Sequence, residues 1–516
     1  MTGGLKTINR YLLAGAGVIG IFAAAPEAKA QQAQDLQQIQ TQIQEMQATI
    51  QALQKQVADA KAQAAAANAT AANAGGGDLD LKVKWKGAPE LSSSDGKFSF
   101  KVRGRLQTDY NAIDQDFDIT GRPDVSAAEI RRARLGVEGV VFYNVAYKFE
   151  VDFANDLTAI KDAYVEYNGL ADGLSLRAGN YKTPNSIDEM TSSRFLTFLE
   201  RAAFVETWDL DRQIGAGAIY AQDHFTLSAG IFGPQPENDE LFLQDVKTGA
   251  ARITAAPINR DVNGVHQVIH LGASWRGREN AEDRRSGGDI TNPFNDELFR
   301  YRARGADLHL ADRFVSTPQI FDEDQFWGVE AAAIWGPVHV VGEYTELEAN
   351  VIDATFPGTT PLICCNGSDP TYVGWYVEAG WFLTGETRGY KEGEFVGVKV
   401  KNPVLGGGKG GGWGAWQIAG RYDVIDLTDQ ATNIQGNPTS GTLSSANCTQ
   451  CGEQKTWEVV LNWWLNDYTG LQFQYGESDI DGGPQLFTNA SGEVVSANQN
   501  NGANIKGFGT RMRYYW

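Results

Sequence analysis

The chain closes on Phe508-Gly509-Thr510-Arg511-Met512-Arg513-Tyr514-Tyr515-Trp516. Successive side chains of a strand point to opposite faces. Phe508, Thr510, Met512, Tyr514 and Trp516 therefore share one face, and Arg511 and Arg513 stand on the other. An aromatic face backed by guanidiniums fits a strand with lipid on one side and a water-filled lumen on the other. The aromatic last residue looks like the C-terminal signal that outer-membrane proteins present to their insertion machinery, so Trp516 is expected to engage it.

The same two-residue rhythm runs back through the chain to Lys97. Phe98, Phe100, Val102, Leu106 and Tyr110 alternate with Lys101, Arg103, Arg105, Gln107 and Asp109. Val145 to Phe153, Ala163 to Tyr167, Leu174 to Tyr181, Phe225 to Phe232 and Trp327 to Trp335 repeat the pattern. So do Tyr372 to Phe382, Trp413 to Tyr422, Trp457 to Trp464 and Leu471 to Tyr475. A soluble sandwich also alternates, with its polar face in water. Three features favour a transmembrane barrel: runs of about nine to eleven residues, enough for a tilted span, an often ionic second face, and the aromatic terminus. A closed barrel leaves no sheet edge in lipid. The stretch 97–516 holds sixteen antiparallel strands at roughly 26 residues per strand and connection.

Composition agrees. The net charge of −20 excludes a nucleic-acid partner, which needs excess Lys and Arg. Lys6 and Arg10, the uncharged run Leu12 to Ala25 and Ala28-Lys29-Ala30 read as an export signal over 1–30. The compartment beyond permits disulfides, expected in the loops at Cys364, Cys365, Cys448 and Cys451 with connectivity open. Leu36, Ile39, Ile43, Met46, Ile50, Leu53 and Val57 form a heptad seam. Its e and g sites are nearly all uncharged, so a self-associating, trimer-leaning coiled coil is expected over 31–63, ahead of a linker over 64–96.

Against this background the order of several motifs resembles the phosphate-selective porin O and P family. The residues are Arg131-Arg132-Ala133-Arg134-Leu135-Gly136-Val137-Glu138-Gly139, Tyr147-Lys148-Phe149-Glu150, Asp162-Ala163-Tyr164-Val165-Glu166-Tyr167 and Gly179-Asn180-Tyr181-Lys182-Thr183-Pro184. Thr191-Ser192-Ser193, Thr197 to Arg201, Gly336-Pro337 with Glu343-Tyr344, Trp381 to Tyr390 and Asn462-Trp463-Trp464-Leu465 follow in turn. The resemblance implies a trimeric, 16-stranded outer-membrane channel for anions, with phosphate or polyphosphate as solutes and an N-terminal coiled coil. Such a channel would contact outer-membrane lipid and lipopolysaccharide, with the coiled coil in the periplasm.

Conduction needs no catalytic group, cofactor or metal; it needs charges facing a narrow lumen. Parity selects Lys101, Arg103 and Arg105 on the first strand and Arg132 and Arg134 on the second, with Arg131 at the strand mouth. Arg300, Arg302 and Arg304 share one face of Phe299-Arg300-Tyr301-Arg302-Ala303-Arg304, about 7 Å apart along an extended chain. Arg177, Arg421, Arg511 and Arg513 are further lumen candidates. The stretch Lys182 to Arg212 is the third loop, which folds inward in similar porins, and Lys182, Arg194 and Arg201 are its constriction candidates. Lysines are scarce beyond Lys182, so a phosphate-binding lysine cluster is not evident there. The competing reading has the arginines pair with Glu138, Glu150, Asp152, Asp162 and Glu166 and merely stiffen the wall.

Other signals carry less. Gly406 to Gly412 lacks the spacing of a phosphate-binding P-loop. His266 and His270 would lie about 13 Å apart on a strand, too far for a shared metal. Two functions remain: a passive porin with an anion lean, or a structural barrel tethering the outer membrane to the periplasm through its coiled coil. An enzyme is not expected, because no Ser/His/Asp set shares a face.

Overall fold

Alternation that buries apolar groups in a soluble protein turns them inward; here it turns them out. The computed structural model describes residues 81–516 apart from 86, 234, 236–246, 280–298, 318–320, 352–368, 407–410, 430–450, 483–485, 489–493 and 497–501. Before residue 81 it describes only 51, 55 and 58, all helical, so the export signal and nearly all of the coiled coil lie outside the described residues.

Sixteen antiparallel strands close on themselves. They are β1 (Ser99–Asp114), β2 (Val125–Val141), β3 (Val145–Asp152), β4 (Ala159–Ala171), β5 (Leu174–Lys182), β6 (Arg212–Gln222), β7 (Phe225–Phe232) and β8 (Lys247–Val262). There follow β9 (Val265–Glu279), β10 (Phe321–Trp335), β11 (Val338–Val351), β12 (Thr371–Phe382), β13 (Ala415–Asp426), β14 (Glu453–Trp464), β15 (Thr469–Asp481) and β16 (Ala503–Tyr515). Part of the expected linker is also ordered: Leu81–Trp85 pairs with Pro89–Ser93, and Glu90 of that hairpin faces Lys101 of β1.

On β16, Arg511 and Arg513 are each 1% exposed, whereas Phe508, Met512 and Tyr514 are 41–44% exposed. The outward ring continues through Trp275, Trp327, Trp335, Trp381, Tyr422 and Trp457. Closure is sealed at the terminus, where the amides of Gly104 and Trp516 each donate to the other's carbonyl at 3.2 and 3.1 Å. A Cβ at Gly104 would sit 1.9 Å from the Trp516 ring, so only glycine lets the last residue lie against β1.

Connections at one end are mostly two to four residues, as at 172–173, 263–264 and 336–337; at the other end they are longer. Three segments turn into the barrel. The first is 183–211, between β5 and β6, with α1 (Ile187–Met190) and α2 (Ala203–Thr207). The second is 299–317, where Arg302–Arg304 pairs with Arg313–Ser316. The third is the hairpin Gly389–Lys391 with Glu394–Val396, between β12 and β13. Their apolar groups build a core inside the lumen: Phe204 and Trp208 from the first, Tyr301 and Leu308 from the second and Phe395 from the third, against wall residues such as Phe326, Tyr372 and Tyr376. Burial of that surface at about 25 cal/mol per Å² drives the insertion.

The arginine run 300–304 departs from a wall strand. Tyr301 and Ala303 are each 1% exposed, so the alternation is present, but inside the barrel. Ala306 and Asp307 adopt positive φ (51° and 46°) and fold the chain back after three residues of strand.

An outward charge near the middle of β16 has no water to meet. Phe508→Arg is expected to destabilise the folded barrel by about 2–4 kcal/mol, read from urea unfolding in lipid vesicles.

Candidate functional site: the lumen beside the third loop

A loop inside a barrel must find partners for its backbone groups, because a buried unpaired amide or carbonyl costs about 1–3 kcal/mol. The wall supplies them to segment 183–211. The amide of Ile187 donates to Glu330 and Glu343 (2.8 and 3.1 Å), and that of Asp188 to Glu343 (3.0 Å). Leu199 donates to Gln474 and Ala203 to Asp423, both at 2.8 Å. Wall cations serve the carbonyls. Arg421 donates to Glu200 and Arg201, Arg513 to Leu196, Arg276 to Trp208 and Asp209, and Arg511 to Leu199. Asn462 and Gln472 share the carbonyl of Thr197.

Within this frame α1 is pinned at both ends. Glu330 and Glu343 meet its free N–H groups, where a helix carries partial positive charge. Lys182 donates to the carbonyls of Glu189, Met190 and Thr191, and Arg201 to those of Asp188, Glu189 and Thr191. Both cations also pair with Glu189, at 3.4 and 2.8 Å.

Beside the loop the lumen keeps a cavity of about 690 Å³. Its lining carries nine cations (Arg131, Arg132, Arg134, Lys161, Lys182, Arg201, Arg212, Arg304 and Arg313) and seven carboxylates (Asp152, Glu189, Glu200, Glu206, Asp209, Asp211 and Asp307), with His309. The local balance is +2, in a chain whose total is −20. The adjacent Arg131 and Arg132 both face in because β2 bulges there: Gln107 opposes Arg132, Thr108 opposes Ile130, and Arg131 is the extra residue. Glu200 sits among three guanidiniums, Arg131 (2.8 Å), Arg132 (3.2 Å) and Arg511 (2.7 Å), while Arg511 also grips Asp109.

The residues singled out from sequence divide. Arg132, Arg134, Arg304, Lys182 and Arg201 line this cavity. Arg103 pairs with Glu138 at 2.5 Å, and Arg105 contacts Ser193 of the loop and Glu150. Lys101 lies 3.9 Å from Glu90, and Arg194 stacks over Phe195 and Tyr515. Arg300 is exposed, Arg302 half-buried, and Arg304 pairs with Glu206 at 3.1 Å. Arg131 is not at the strand mouth but at the bulge. The wall-stiffening pairs exist as well: Arg134 with Glu150 and Asp152, Lys148 and Arg212 with Asp162, and Arg177 with Glu166. Sequence reading missed Lys161, Arg313 and the anchoring roles of Glu330, Glu343 and Asp423. Cys451 is buried near the second inserted segment, its carbonyl accepting from Ser316; Cys364, Cys365 and Cys448 lie outside the described residues.

A sixteen-stranded barrel with a loop folded inward is a channel architecture, and the family model described as phosphate-selective porin O and P matches residues 100–497. The chain belongs to this family. It is 27% identical over 456 residues to Porin O of Pseudomonas aeruginosa, covering 84% of this chain and 92% of that protein. An uncharacterized protein of Caulobacter vibrioides is 29% identical over 422 residues, covering 78% of this chain and 73% of that one. Among solved structures it is similar to the anion-selective porin from Comamonas acidovorans (TM-score 0.44, 10% identity, 81% of this chain and all of that one). It is likewise similar to the outer membrane channel DcaP of Acinetobacter baumannii (TM-score 0.44, 12% identity, 82% and 99%). The porin is thus an outer-membrane channel.

Arg511 joins β16 to the loop and to two carboxylates. Arg511→Met leaves the buried Asp109 without its partner and is expected to cost about 3–5 kcal/mol. A lowered thermal unfolding midpoint, with larger and noisier single-channel current as the loop loosens, checks this.

Proposed function

We propose that this porin passes small hydrophilic anions, phosphate among them, down their gradient through the cation-rich cavity beside the third loop. The supporting observation is the local excess of positive charge in a chain that is negative overall. A low-dielectric wall focuses that field into the lumen, whereas exposed loop charges beyond about 8–10 Å are screened. Arginines at successive depths let an anion shift from one guanidinium to the next, with each site weak enough to leave. In this reading Arg300 and Arg302 lead to the cavity, Arg304, Arg132 and Arg134 line it, and Lys101, Arg103 and Arg105 extend the pathway along β1. Lys182, Arg201 and Arg194 set the constriction by holding the loop. Loop carbonyls occupy the first two, so they shape the passage more than they bind solute.

The working unit in this reading is a homotrimer in the outer membrane, associated through the heptads of 31–63 on the periplasmic side, with lipid and lipopolysaccharide around it. The Gln-rich seam also fits a tether to the periplasm; a reconstituted protein that gives no current would favour that role.

Reversal potential in a KCl gradient tests the proposal. Cl⁻ is expected to permeate over K⁺, added phosphate to reduce the chloride current, and Arg300→Ala/Arg302→Ala/Arg304→Ala to lower the Cl⁻/K⁺ ratio at least about twofold. A triple variant with wild-type selectivity removes the arginine run from the pathway.

A further inference from the structure

Two of the nine cavity cations, Arg131 and Lys161, are the extra residues of β-bulges in the wall. On β4, Ala163 opposes Phe149 on the outer face, and Asp162 opposes Glu150 on the inner one. Counting back from there, alternation would send Lys161 into the lipid. The ladder instead slips: Ile160 opposes Val151, and Lys161 is the extra residue of the bulge. Ile160 remains on the outside, 39% exposed, while Lys161 joins the cavity lining and acts electrostatically on Asp211.

The irregularity is built. A bulge leaves backbone groups outside the ladder, and these need other partners. The side chain of Asn180 on β5, only 3% exposed, donates through Nδ2 to the carbonyls of Lys161 (2.8 Å) and Ile160 (3.4 Å). The β2 bulge does the same for Arg131, which Glu200 receives bidentately. Removing Arg131 and Lys161 from the lining would leave seven cations against seven carboxylates. The two bulged cations together equal the net positive balance of the cavity.

We propose that Lys161, turned into the lumen by the β4 bulge, is a charge-selectivity residue of the pore, and that Asn180 is the positioning residue that holds it there. The proposal deepens the anion-channel reading and rests on it. Lys161 acts through its charge, as a fixed cation among guanidiniums, so its replacements should rank by charge and not by size.

The test is reversal potential of the full-length protein in planar bilayers under a tenfold KCl gradient at low total salt, where screening is weak. Lys161→Arg is expected to match wild type. Lys161→Gln is expected to lower the Cl⁻/K⁺ permeability ratio about twofold, and Lys161→Glu about fourfold. Asn180→Ala is expected to shift the ratio in the same direction in the wild-type background and to add nothing to Lys161→Gln. The last outcome separates positioning from a general loosening of the wall, which would add in both backgrounds. A heat-modifiable electrophoretic band confirms that each variant is folded. Equal ratios across the Arg, Gln and Glu variants would overturn the proposal. The wild-type sign tests the anion-channel reading, while the Lys161 series is read relative to wild type whichever sign it has.

Discussion

The structure depends on a wall that hydrogen-bonds the backbone of a loop held inside it. Segment 183–211 has too little regular structure to satisfy itself: α1 and α2 are four and five residues long. Its amides are met by Glu330, Glu343, Asp423 and Gln474, and its carbonyls by Arg276, Arg421, Arg511, Arg513, Asn462 and Gln472. Charged groups make the stronger hydrogen bonds, and in a low-dielectric interior they position the loop firmly. The inner wall is thus ionic for a structural reason before any question of transport arises.

Function uses what that scaffold leaves over. The side of the lumen that anchors the amides is rich in carboxylates, and the side beside the cavity is rich in guanidiniums. Pairing consumes much of the charge: Arg134 is matched twice and Arg212 sits between Asp162 and Asp211. The alternatives weighed from sequence, arginines as pathway and arginines as wall stiffeners, are therefore not exclusive. Arg132 and Arg134 are paired and still line the open space. In the proposed reading, what matters for a passing ion is the residual balance, to which the two bulged cations contribute.

The barrel was legible because its period is two and its faces differ so sharply, as along Phe508 to Trp516. β6, β8, β9 and β11 were harder to read. Arg212-Gln213-Ile214-Gly215-Ala216-Gly217-Ala218 carries few large apolar or ionic groups, so its alternation is faint. The run 300–304 shows correct alternation in the wrong place, because period alone cannot distinguish a wall strand from a short hairpin packed inside. The bulges at Arg131 and Lys161 were invisible for a related reason: strict parity assigns Lys161 to lipid, and only the register to β3 and the reach of Asn180 reveal otherwise. The anchoring roles of Glu330, Glu343 and Asp423 were not legible because their partners are backbone amides of a loop distant in sequence.

Amide hydrogen exchange across 183–211, measured on the protein in lipid nanodiscs, tests the central claim most directly. A loop whose backbone is held by wall side chains should exchange slowly at Ile187, Leu199 and Ala203, with protection comparable to β11 and β15. Exchange of those amides as fast as in an open surface loop would contradict the account, since the lumen would then lack the fixed frame on which the cavity and its charge depend.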